Sequence, residues 1–91
     1  MSNIEERALI FHLDHPGVYQ ALVQMARTLK DKGHSKIGIG MLWEVLRWRW
    51  MMSAPKGDYK MNNDYRAFYA RMIMEKEPDL KGFFNTRESN A

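Results

Sequence analysis

Apolar residues recur at helical spacing in three stretches of the chain. Val18, Leu22, Met25, Ala26 and Leu29 fall at i, i+4, i+7, i+8 and i+11, one continuous stripe at the period of an α-helix. Asp14-His15-Pro16 ahead of it reads as a start signal, since proline is tolerated in a first turn and Asp14 can accept orphan backbone N–H groups. Arg27, Lys30, Asp31 and Lys32 crowd the far end, and Gly33 is suited to the position just past a helix. The spacing predicts a helix over 16–32.

A second helix is predicted from Met41 to Trp48 or Trp50. Leu42, Val45, Leu46 and Arg49 share one face, with Ile39 just before it, and Glu44, Arg47, Trp48 and Met51 share the opposite one. A helix apolar nearly all round is buried or pressed against a partner. Trp50–Ser53, Ala54–Asp58 and Tyr59–Met61 read as a β-hairpin with a five-residue loop, Pro55 and Gly57 supplying the turn. Asn62-Asn63-Asp64 caps a third helix. Its inner face is Tyr65, Phe68, Tyr69, Met72 and Ile73, with Arg66, Ala70, Arg71, Met74 and Glu75 outside. Glu77-Pro78 ends it, because the residue before proline disfavours helix, and Pro78 opens a last short turn carrying Leu80, Phe83 and Phe84.

Three pieces are less patterned. Residues 1–13 form a lead-in, either a short helix or an anchoring strand; residues 34–40 are an extended strand or a turn; and Asn85–Ala91 is a polar, frayed tail. The fold expected is mainly α: a single domain over 1–91, three main helices with a small β-hairpin, resembling a reduced winged helix. A standard winged helix has two helices between the first helix and the wing, whereas only the seven residues His34–Gly40 separate the first two helices here. The core expected is Val18, Leu22, Met25, Leu29, Leu42, Val45, Leu46, Phe68, Tyr69, Met72, Leu80 and Phe83, with Met51, Met52, Met61 and Met74 outside.

Composition narrows the function classes. An apolar fraction of 45% is that of a globular chain. The absence of cysteine excludes a disulfide scaffold, a thiolate metal site and a cysteine nucleophile, and fits a reducing compartment. The densest apolar stretch, Met41 to Met52, is interrupted by Glu44, Arg47 and Arg49, so it falls short of the roughly 20 residues a membrane span needs. The start, Met1-Ser2-Asn3-Ile4-Glu5-Glu6, is acidic and polar, unlike a secretory signal, which makes the cytoplasm the expected location. Net charge is +3. Seven Lys/Arg against four Asp/Glu lie between Met41 and Lys76, so the basic excess sits in the segment that carries the tryptophans.

Catalytic signatures are absent. There is no Ser-His-acid pattern, no nucleophile elbow, no P-loop and no dinucleotide fingerprint, so the chain is read as a non-enzyme with no cofactor. His12, Asp14 and His15 are close in sequence but match no helical ligand spacing, and a capping or surface role explains them better than a metal. Gly38-x-Gly40 lacks the third glycine and following lysine of a phosphate cradle and reads as a tight lead into the second helix. The tract Leu42-Trp43-Glu44-Val45-Leu46-Arg47-Trp48-Arg49-Trp50 is the most unusual feature. Trp43 and Trp50, seven apart, share one face and fill the core; Trp48 is the candidate for exposure. An exposed tryptophan among arginines suits base stacking and phosphate pairing, and equally a protein hot spot. Arg47, Trp48, Lys56, Lys60, Asn63, Arg66 and Arg71 are the residues expected to meet nucleic acid, with Lys56 and Lys60 on the wing.

Five runs of residues resemble a group of small proteins found in bacteriophage and prophage sequences. They are His15-Pro16-x-Val18-Tyr19, Gly38-Ile39-Gly40-Met41-Leu42-Trp43-Glu44-Val45-Leu46-Arg47-Trp48, Asn62-Asn63-x-Tyr65-Arg66, Tyr69-Ala70-Arg71, and Pro78-Asp79-Leu80 with Phe83-Phe84-x-x-Arg87. The resemblance runs from Phe11 to Arg87 and carries over no catalytic residue. It implies a mobile-element protein whose target is DNA or a host protein, and a role beyond solvation for Arg47, Asn63, Arg66 and Arg71. The function expected is thus a small basic module binding duplex DNA. The alternative is an adaptor or inhibitor that acts by contact with a host protein or a second copy of itself, using exposed aromatics and methionines as anchors.

Overall fold

The structure is a computed structural model that describes residues 3–53 and 61–85. Four α-helices follow one another: α1 (Asn3–Asp14), α2 (Pro16–Asp31), α3 (Ile39–Ser53) and α4 (Arg66–Lys76). Single 3₁₀ turns stand before and after α4, at Asn63–Tyr65 and Pro78–Leu80.

The best-patterned segment behaves as its sequence dictates. Pro16 occupies the first turn of α2, and the helix buries Val18, Leu22, Val23 and Ala26. It closes in a Schellman motif: Gly33 N–H donates to the Lys30 carbonyl and His34 N–H to that of Leu29, both at 3.0 Å, with Gly33 at φ 95°. That left-handed φ is what makes glycine the suitable residue here. Asp14 caps nothing. It is the last residue of α1, and the residue flanking α2 is His15, which makes no side-chain cap. The lead-in is a full helix, docking on the others through Ala8 and Phe11.

The winged-helix reading is overturned. Among the described residues there is no strand, only an isolated bridge between Ile37 and Phe84. Trp50–Ser53, expected as the first hairpin strand, is the last turn of α3, where the Ser53 hydroxyl bonds back to the Arg49 carbonyl at 3.1 Å and the Trp50 carbonyl at 3.3 Å. The physical reason is that nothing breaks the helix before Pro55, and a short apolar run reads equally as buried helix or strand. The expected loop and most of the second strand, residues 54–60, lie outside the described residues. Among the described residues there are four α-helices rather than three.

The core forms where α2, α3 and α4 meet. Its fully buried large side chains are Trp43, Tyr69, Leu22, Ile73 and Leu80. Tyr69 is the hub of the aromatic packing, its ring centroid 5.4 Å from Trp43, 5.8 Å from His12 and 6.5 Å from Phe11. Met61 and Ala70, both expected outside, are buried, while Val45, expected inside, is exposed. Met25, Leu29, Leu46, Phe68 and Met72 are only partly buried around this centre.

Two tethers fix the C-terminal part of the chain. Ile37 N–H donates to the Phe83 carbonyl at 3.1 Å, and Asn85 N–H donates to the Ile37 carbonyl at 2.8 Å. The Asn85 side chain adds a bond to the Lys36 carbonyl at 2.9 Å. Asn85, expected at the start of a frayed tail, is therefore held; residues 86–91 lie outside the described part. On the other side, Arg27 of α2 pairs with Glu77 at 2.8 Å and Asp79 at 2.9 Å, flanking the second 3₁₀ turn.

Candidate functional site

Among the described residues, those expected to meet nucleic acid do not form one basic surface. Arg47 is turned into the chain: its guanidinium donates to the Met61 carbonyl at 2.9 Å, to the Asn63 side-chain oxygen, and to Glu44 at 3.3 Å. Arg66 Nε donates to the Asn63 carbonyl at 2.9 Å, and its Nη1 lies 3.1 Å from where a Cβ on Gly40 would stand. Arg47, Asn63 and Arg66 are thus brought together as a polar clasp between α3 and the start of α4. The clasp sits over the Asn62 cap, whose side chain accepts from Asp64 N–H at 2.9 Å. Arg71 is apart from them, against Glu5 of α1 at 3.4 Å, both ends well exposed. Lys56 and Lys60 lie outside the described residues. Trp48 is 61% exposed.

A second polar cluster joins α2 to the end of α4. The Arg27 Nε and Nη2 donate to the two oxygens of Asp79, Lys30 Nζ donates to the Asp79 carbonyl at 2.6 Å, and the Tyr19 hydroxyl donates to Glu77 at 2.8 Å. The hydrogen bond from Arg27 holds the Asp79 carboxyl below the usual carboxylate range. Burial, and then the bond to Glu77, push the Tyr19 phenol up to about 12. Each group is explained by its neighbours, so the cluster reads as a structural lock. Two of the three histidines are likewise placed by packing. His12 sits against Tyr19 and Tyr69, and His15 against Phe11 and Trp50. Among the described residues, no group of three or more His, Cys, Asp or Glu is placed to hold a metal ion.

The outstanding surface is on α3. Its inward side carries Ile39, Leu42 and Trp43 in the core, with Leu46 and Trp50 packed against it. Its outward side is also apolar: Met41 is 52% exposed, Val45 39%, Trp48 61% and Met52 68%. These four lie four, three and four residues apart, one straight stripe along the helix. Met51 lies beside it, also exposed.

The chain matches no family model, no curated protein and no solved structure. The surface is therefore read from its own chemistry. Two further features stand out on the described surface. A cleft of about 340 Å³ between the start of α2 and the second half of α3 is lined by His15, Val18, Leu46, Arg49 and Trp50. On α1, Leu9, Ile10 and Leu13 are exposed as well. Among the described residues no helix is long and apolar enough to cross a membrane.

Sequence reasoning found Trp48 and missed the stripe that contains it, having placed Val45 in the core. The signal was present. Met41, Val45, Trp48 and Met52 repeat at the same spacing as the core stripe, and two apolar stripes on one helix mean two contacts.

Proposed function

We propose that the protein acts by protein contact, as a small helical interaction module whose contact surface is the outer face of α3. The observation that carries this reading is the exposed stripe Met41, Val45, Trp48 and Met52 on a helix whose other side is already packed into the core. A helix needs one apolar face to dock on its own domain, and a second apolar face costs free energy in water until something covers it. Tryptophan is the residue most enriched at contact hot spots, and methionine adapts its shape to a partner.

Nucleic-acid binding is the second reading, favoured by the exposure of the neighbours Trp48 and Arg49 within the basic segment. It is supported less because Arg47 and Arg71, two of the arginines that would meet phosphates, already have partners within the chain.

Two parallel assays test the choice. Trp48→Glu changes an exposed position, so the circular dichroism spectrum and melting temperature should stay close to those of the parent. Under the protein-contact reading, chemical cross-linking and light scattering should detect a complex for the parent that Trp48→Glu lacks. A mobility shift with duplex DNA at low salt supplies the contrast. A parent that forms no protein complex but shifts DNA, with a log–log salt slope of roughly −3 to −5, would reverse the order of the two readings.

A further inference from the structure

Taking the α3 stripe as the contact surface, its spacing and flanking charges specify an occupant. We infer that the partner is a second copy of this chain, docked through the same face with the two α3 helices parallel and related by a two-fold axis.

The stripe follows the seven-residue repeat of a two-stranded coiled coil. Met41 and Trp48 fall at d positions, Val45 and Met52 at a positions. Ile39, Trp43, Leu46 and Trp50, in or packed against the core, then fall at b and f, on the side turned away from the seam, while the core residue Leu42 falls at e, on the flank next to its own domain. Val45 puts a β-branched residue at an a position, one half of the pattern that favours two strands.

Charge selects the orientation. Glu44 stands at the g position and Arg49 at the e position five residues on, one on each flank of the stripe. In a parallel pair, g of one helix faces the following e of the other, so each Glu44 meets the other chain's Arg49 and the two-fold makes the contact twice. In an antiparallel pair the two-fold sets g against g and e against e, bringing glutamates together and arginines together. Both groups are available. Arg49 is exposed and makes no ion pair among the described residues. Glu44 is more than half exposed, with only the long 3.3 Å contact to Arg47 one turn away. The helix is already held by its own domain, so pairing does not have to bear the cost of forming it.

The test uses the full chain and its lack of cysteine. Sedimentation velocity across micromolar to submillimolar concentrations should show a monomer–dimer equilibrium. Glu44→Arg and Arg49→Glu should each weaken it on the order of tenfold by setting like charges face to face, and the double exchange should restore it to within about threefold. Val45→Cys and Met52→Cys should each cross-link to itself under mild oxidation, because a parallel, in-register pair brings both a positions face to face, whereas an antiparallel pair does so only at its axis. Circular dichroism controls for folding, which exposed substitutions should leave intact. A chain that stays monomeric throughout overturns the inference. So does a dimer that ignores both exchanges and leaves Val45→Cys or Met52→Cys unlinked. If the chain is monomeric yet Trp48→Glu abolishes a complex with another protein, the interaction reading stands and the self-pairing falls. If Trp48→Glu changes nothing either, both fall.

Discussion

Arg27 and Asp79, on opposite sides of the chain's course, form a two-pronged pair: Nε reaches Oδ2 and Nη2 reaches Oδ1, each at 2.9 Å. Two parallel bonds fix both planes, so this contact orients the turn after α4 against α2 rather than merely attracting it. The Asp79 carboxyl is held below its ordinary range, so its contribution to stability is present above the unfolded carboxylate pKa and is lost as pH falls through the folded value. Asp79→Asn should therefore lower the melting temperature at neutral pH, and the gap from the parent should narrow below about pH 4. Parallel melting curves with a constant gap down to pH 2 would show that the pair does not titrate as described.

Leu22 and Ile73 are fully buried on α2 and α4. Truncating either to alanine should cost about 2–5 kcal/mol in chemical denaturation. Val45→Ala, on the outer face of α3, should stay within about 0.5 kcal/mol under dilute, monomeric conditions. A loss at Val45 matching that at Leu22 would mean the stripe is part of the core.

α2 was legible because it carries one apolar stripe with clear stop signals, Pro16 before and Gly33 after. The end of α4 was legible from Pro78, whereas Asn62 caps the 3₁₀ turn ahead of α4, and Tyr65, which flanks α4 itself, makes no side-chain cap. α3 was found, but its inward side was misjudged. Leu42 and Leu46 are common to both candidate faces, and only the packing of Trp43 onto Tyr69 decides that Val45 and Arg49 point out. That choice depends on a residue twenty-six positions away, which periodicity within one helix does not contain. The pairing of Arg47 with Asn63 was not legible for a similar reason: sequence spacing does not reveal pairs across a turn.

Tyr69 is fully buried and its hydroxyl has no hydrogen-bond partner among the described residues. An unsatisfied buried hydroxyl is a cost, so Tyr69→Phe should leave stability unchanged or raise it by on the order of 1 kcal/mol. A loss of similar size, measured by urea titration, would reveal a bond made by that oxygen.

Arg47 ties α3 to the Met61 carbonyl and to Asn63, closing the connection between α3 and α4. Arg47→Ala should destabilise by about 1–2 kcal/mol, partial exposure reducing the value of its charged hydrogen bonds. Arg47→Lys should recover little, since one ammonium cannot serve the separate acceptors that a planar guanidinium spans. Full recovery by lysine in a thermal melt would mean charge alone matters at this position.

The bridge between Ile37 and Phe84 also sets an order of assembly. Leu80, Phe83 and Phe84 follow every other core residue in the described chain, yet they complete the core beside a segment that precedes α3. A nascent chain emerging from the ribosome can form each helix locally, but it cannot seal this flank until residue 84 is free to reach Ile37. The apolar surface beneath stays open to misassociation up to that moment, and the final few residues of the described chain act as the catch that shuts it.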